Sequence, residues 1–173
     1  GKVGTGYAAI SCGNFVNATR ALDCIVGEAA GNAYLYSDDT TSGATSADYS
    51  FEQDTTFLLE ARDSRINPFC FDFETRGKFS CLFGAENGKV YFSSNTGRKG
   101  SMVHSDFSGL TSRIRTSEGF AAPFCADFDQ DGDIDCIVGW DGESVRNSGV
   151  QYWQNSCGSR YCTIDSSTWT KQG

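Results

Sequence analysis

A phrase repeated three times along the chain limits it to architectures built from equivalent units. Pro68 to Gly84 reads PFCFDFETRGKFSCLFG, and Pro123 to Gly139 reads PFCADFDQDGDIDCIVG. Pro, Phe, Cys, Asp, Phe, Gly, Cys and Gly coincide without a gap. A further version, SCGNFVNATRALDCIVG from Ser11 to Gly27, carries one extra residue between its cysteines and ends on the same DCIVG. Each is followed by a second shared phrase, GNAYLYSDD, GKVYFSSNTG or SGVQYWQNS, the last delayed by the insertion WDGESVRNS. Self-similarity at a fixed interval is the signature of a repeat architecture. The repeats run approximately 7–62, 63–118 and 119–173, so residues 1–173 form a single repeat domain.

Each repeat reads as strands. APFCADF alternates, a polar turn follows, DCIVG is a short apolar run, and GKVYFSS alternates again after a glycine. A weaker fourth strand is expected in DYSFEQD, SMVHSDF and YCTIDSS. No segment carries a helical apolar stripe of useful length. The expected fold is all-β, with three four-stranded antiparallel blades of the propeller type. Closed propellers use about four to eight blades. Three blades therefore imply a partial propeller or one completed by another subunit.

Composition narrows the partners. The 22 acidic and 14 basic residues leave a net charge of −8, which argues against a nucleic-acid partner, since that would want a basic stripe. Apolar runs such as AAI and CIVG are far too short to span a bilayer. A chain opening on Gly1 reads as processed or as a fragment. Eight cysteines with His104 as the one histidine do not give zinc spacing. An even cysteine count at a recurring interval reads as disulfides formed in an oxidising, extracellular compartment. Cysteines that end one strand of a hairpin and begin the next can face each other within bonding reach. That logic pairs Cys12 with Cys24, Cys70 with Cys81 and Cys125 with Cys136, while Cys157 and Cys162 would clip a separate turn. Bridges between neighbouring repeats are the competing connectivity. Asn17-Ala18-Thr19 is a glycosylation sequon, of small weight by itself.

The third repeat concentrates Asp127, Asp129, Asp131, Asp133 and Asp135 between two cysteines. ADFDQDGDIDCIVG followed by GVQYWQNS resembles the FG-GAP/VCBS repeat family, whose copies read as a D-x-D-x-D-G-x-x-D loop between strands and then G-x-V-x-x-Y/F. The likeness is specific in the third repeat and degraded in the first two. It implies propeller blades, calcium in the loop, and extracellular adhesion or recognition, with no single activity. It also implies that Asp133 offers its backbone carbonyl and turns its side chain outward.

Physical chemistry favours the same ion. Asp127, Asp129, Asp131 and Asp135 can turn in around one point if Gly132 adopts a positive φ. Hard oxygen donors at this density suit Ca²⁺, which takes six to eight of them. A solvated acidic turn without an ion is the plainer alternative. An EF-hand is rejected, because its twelfth position is Val138 rather than Glu and the flanks read as strands. In the second repeat Arg76 and Ser80 replace Asp131 and Asp135, and Arg76 can neutralise Asp72 and Glu74 directly. In the first, Asn14 and Asp23 remain. Calcium is expected in the third repeat alone, with a structural role, since a disulfide already fixes the loop.

Catalysis is not expected. The carboxylates cluster in the calcium loop, paired cysteines leave no thiolate, and His104 would have to serve any serine triad. The expected function is that of an extracellular, non-enzymatic calcium-binding repeat protein, structural or adhesive, acting through self-assembly into a ring or filament or through partner binding. The alternative is a lectin-like propeller, with Trp140 offering a flat stacking face. Packing of the tryptophans between blades competes with that alternative.

Overall fold

The structure, a computed structural model, describes residues 6–15, 22–38, 51–61, 63–73, 77–100, 102, 107, 110–116, 119–142, 148–156 and 169–172. Among them there are strands and no helix. Three four-stranded antiparallel sheets follow one another along the chain. The first holds β1 (Ala8–Gly13), β2 (Asp23–Glu28), β3 (Asn32–Asp38) and β4 (Phe51–Glu60). The second holds β5 (Asn67–Phe71), β6 (Ser80–Gly84), β7 (Lys89–Ser93) and β8 (Thr111–Arg115). The third holds β9 (Phe120–Ala126), β10 (Asp135–Asp141), β11 (Ser148–Asn155) and β12 (Trp169–Gln172). In every sheet the strands lie in sequence order, each beside the next.

In two repeats the fourth strand lies in a segment that the sequence had not singled out. β8 forms at TSRIR rather than at SMVHSDF, because Ile114 pairs with Val90 and buries beside it. β12 forms on WTKQ, anchored by buried Trp169 opposite Asn155, and YCTIDSS lies outside the described residues. SMVHSDF falls largely outside the described residues, although Met102 is buried and Phe107 bridges to Asn95.

The sheets stack face to face, so each has a leading face towards the preceding repeat and a trailing face towards the following one. The core is two clusters, one at each junction. In the first, Ile25, Leu35 and Phe57 from the trailing face of sheet one meet Ile66 and Phe83 from the leading face of sheet two. In the second, Leu82, Phe92 and Ile114 meet Ala121, Val138 and Trp169. Side chains of this size each contribute about 1.5–3 kcal/mol on burial. The middle sheet is covered on both sides, which is why all of SCLFG in β6 is buried rather than alternating.

Backbone contacts repeat at the two junctions. The Ile66 N–H donates to the Glu28 carbonyl at 3.4 Å, and the equivalent Ala121 N–H donates to the Ala85 carbonyl at 2.9 Å. The glycine closing each CIVG-type run is what admits the next sheet. A Cβ on Gly27 would lie 2.3 Å from the Ile66 carbonyl oxygen, and one on Gly84 would lie 2.1 Å from that of Ala121.

Candidate metal centre

The hairpin cysteines face each other and are bonded. Cys12 opposes Cys24, Cys70 opposes Cys81 and Cys125 opposes Cys136, each with a Cα–Cα separation of 4.1 Å. Each bridge closes a loop of 11 or 12 positions. A loop of that length is worth about 3 kcal/mol in the chain-entropy account. No cysteine among the described residues is free. Cys157, Cys162, Asn17, Glu74, Arg76 and His104 lie outside the described residues.

Between β9 and β10 the chain makes a tight acidic turn. Gln130 at φ 64° and Gly132 at φ 95° reverse it. The turn is built from carboxylates that accept backbone N–H groups a few residues ahead, as short Asx turns do. The Gly132 N–H donates to Asp127 Oδ2 at 3.2 Å, the Asp131 N–H to Asp129 Oδ1 at 3.3 Å, and the Asp133 N–H to Asp131 Oδ1 at 3.0 Å. One ligand oxygen from each of Asp127, Asp129 and Asp131 falls within 4.8 Å of the others, and all three residues are exposed. Three like charges so close repel by about 1 kcal/mol per pair in water and more where solvent is partly displaced. The donor set is all hard oxygen, which fits Ca²⁺.

Two of the five aspartates lie elsewhere. Asp135 is fully buried at the start of β10. Its Oδ2 accepts the Tyr152 hydroxyl at 2.6 Å and its Oδ1 accepts the Asn155 N–H at 2.9 Å, so it ties β10 to β11 and is not gathered with the other three. The same position is buried in every repeat. Asp23 Oδ2 accepts the Phe15 N–H at 2.9 Å, and the Ser80 hydroxyl oxygen accepts the Asn95 N–H at 3.0 Å. Asp133 is also buried, not turned outward. The left-handed Gly132 tucks the following residue under the turn.

The sequence reading did not connect Tyr152 or Gln154 with the aspartates. Gln154 Nε2 donates to Asp129 Oδ2 at 2.7 Å, and Gln172 Nε2 donates to Gln154 Oε1 at 3.0 Å. The signal was available in QYWQN, where a period of two puts residues 152 and 154 on the face that carries Asp135. The Tyr152 hydroxyl is held above its ordinary pKa. Desolvation comes first, then the bond to Asp135, then the negative charges of Asp135, Asp129 and Asp131.

The second repeat keeps the bond between its first aspartate and its glycine, and among the described residues it has no acidic cluster. The Gly77 N–H donates to Asp72 Oδ2 at 2.6 Å, the counterpart of the Gly132–Asp127 bond. Here the glycine is covered: a Cβ on Gly77 would lie 2.5 Å from Lys99 Cε, and the Gly100 N–H bonds the Gly77 carbonyl at 3.1 Å. Nothing lies within 4 Å of the equivalent point at Gly132.

Trp140 is half-buried at the end of β10, and its indole lies against Gly149. Together with Phe120, Gly139 and Val150 it lines an open hollow of about 420 Å³ on the trailing side of sheet three. Among the described residues no helix is long and apolar enough to cross a membrane. Comparison with family models, curated proteins and solved structures finds no match to this chain.

Proposed function

We propose that this chain is an extracellular calcium-binding repeat module of the FG-GAP/VCBS type, without enzymatic activity. Its three sheets are successive propeller-type blades, and its work is structural or adhesive. The observation that carries this reading is the meeting of Asp127, Asp129 and Asp131 on a disulfide-closed hairpin between two strands. Those three residues would hold the ion, and Ca²⁺ would supply the positive charge that the turn lacks. The three disulfides favour an oxidising compartment, hence secretion.

The experiment is differential scanning calorimetry with calcium and with chelator, on wild type and on Asp131→Ala. Wild type should melt higher in calcium, and Asp131→Ala should lose that increment. Identical wild-type curves would reject the metal. A lectin-like propeller is the second reading, favoured by the placement of Trp140 in an open hollow. It predicts retention on a glycan array that is lost in Trp140→Ala, whereas the first reading predicts no glycan retention.

A further inference from the structure

We propose that the trailing face of the third sheet is a docking surface for the leading face of sheet one of a second copy of this chain. The inference rests on reading the sheets as successive blades.

Equivalent positions in the three repeats sit in different surroundings. Ala33 and Val90, on the trailing faces of the first two sheets, are fully buried, while their counterpart Val150 is 70% exposed. Phe15 and Phe73 are buried, and their counterpart Phe128 is 39% exposed. Phe124, whose ring touches Phe128 and also Phe69 of sheet two, is 57% exposed. Side chains of this kind, set together on one open face, mark an interaction surface.

The opposite end of the stack shows the converse. Ile66, Pro68 and Cys70 are buried on the leading face of sheet two, as are Ala121, Pro123 and Cys125 on that of sheet three. Their counterparts on β1, Ala8, Ile10 and Cys12, are all exposed, Ile10 by 62%.

The chain itself shows twice what covers such a trailing face. In both junctions it is the beginning of the next repeat's first strand, seated on a glycine. Gly27 receives Ile66 and Pro68, and Gly84 receives Ala121 and Pro123. The third such glycine, Gly139, has space where its predecessors are covered: an added Cβ would find only the Ala122 carbonyl oxygen of its own sheet, at 3.9 Å. Among the described residues β1 is the remaining strand of the covering type, and Ala8, Ile10 and Cys12 on its leading face are exposed. The two exposed faces are the two halves of one junction, carried by the first and the last sheet of one molecule. In a second copy, Ile10 and the Ala8 carbonyl would seat on Gly139. The Ala8 N–H would meet the Trp140 carbonyl, as the Ala121 N–H meets that of Ala85. Such a contact is head-to-tail. Two copies of three sheets make six, a number within the range of closed propellers. A rotation that does not close gives a filament instead.

The test is sedimentation equilibrium of the wild type, Gly139→Ala, Ile10→Asp and an equimolar mixture of the two variants. The wild type should assemble, as a dimer or as a longer series. Each variant alone should remain a monomer, because a Cβ at this kind of glycine meets the incoming backbone and because Ile10→Asp would bury an unpaired carboxylate in the contact. The mixture should recover a dimer and nothing larger, since it retains one intact pair of faces. Gly139→Ala should melt like the wild-type monomer, whereas Gly84→Ala should melt lower, so that loss of assembly is not mistaken for loss of folding. A wild type that stays monomeric at every concentration, or a Gly139→Ala chain that assembles as tightly as wild type, overturns the inference. Failure here with a calcium-raised melting temperature leaves the metal reading standing. Assembly without any calcium response does the reverse.

Discussion

The second and third hairpin turns start from the same frame and end in different chemistry. Both carry a glycine at positive φ whose N–H is held by the first aspartate, Gly77 by Asp72 and Gly132 by Asp127. In the second, the Lys99 stem and the Gly100 N–H close over the glycine, so the protein covers its own turn. In the third, the glycine is open and three carboxylates point at one another. The bond from the first aspartate to the glycine N–H therefore does not depend on the third carboxylate, since it forms in the second repeat, where the sequence has Arg76 in place of Asp131. What the third repeat adds is a cluster of like charges, and a divalent cation is the remedy we propose.

The largest effect should come from the position the two repeats share beneath the turn. Asp135→Ala strands the Tyr152 hydroxyl and the Asn155 N–H, and should cost about 3 kcal/mol, against about 1 kcal/mol for Ser80→Ala with its single bond. Chemical denaturation of both variants checks this. Equal losses would mean that the two positions bear the same load.

Next is the ion. At free calcium a hundred times the dissociation constant, stability should rise by about 2.7 kcal/mol. The triple variant Asp127→Asn, Asp129→Asn, Asp131→Asn should show no rise, while Asp72→Asn should keep all of it. Thermal melts at graded calcium read the difference. A calcium gain lost in Asp72→Asn would move the site to the second turn.

Smaller still are the glycines. Gly132→Ala should cost about 1–2 kcal/mol, because alanine resists a left-handed backbone. Gly77→Ala should cost somewhat more, since Lys99 must also move.

The smallest effect is that of Tyr152→Phe, about 1 kcal/mol for one bond to a buried carboxylate. The same tyrosine sets an alkaline limit. Its folded pKa lies above its unfolded value of about 10. Its contribution is therefore full below pH about 10 and declines as pH rises beyond that, because the unfolded chain releases the proton first. A pH series of urea midpoints should show this decline in wild type and a weaker one in Tyr152→Phe.

Much of this was legible in the repeats. The spacing of Cys12, Cys70 and Cys125 from their partners implied cross-strand bridges, and the alternation in GKVYFSS implied the strand that became β7. The outer strands were not legible, because β8 and β12 are held by single anchors, Ile114 and Trp169, within otherwise exposed sequence. The aspartates could be counted but not sorted. Spacing places Asp135 in the D-x-D-x-D-G-x-x-D pattern, whereas its burial under Tyr152 depends on the strand that follows 13 positions later, at Ser148. Comparison with Asp23 and Ser80 held a clue, since a position filled by Asp, Ser and Asp suits a buried acceptor better than a shared ligand.

The most direct measurement is a calcium titration followed residue by residue through backbone amide resonances. The Gly132 and Asp133 amides should shift and saturate with one equivalent of calcium, while the Gly77 amide stays fixed. Resonances of Gly132 that never move, or that move no more than those of Gly77, would contradict a calcium clasp in the third repeat.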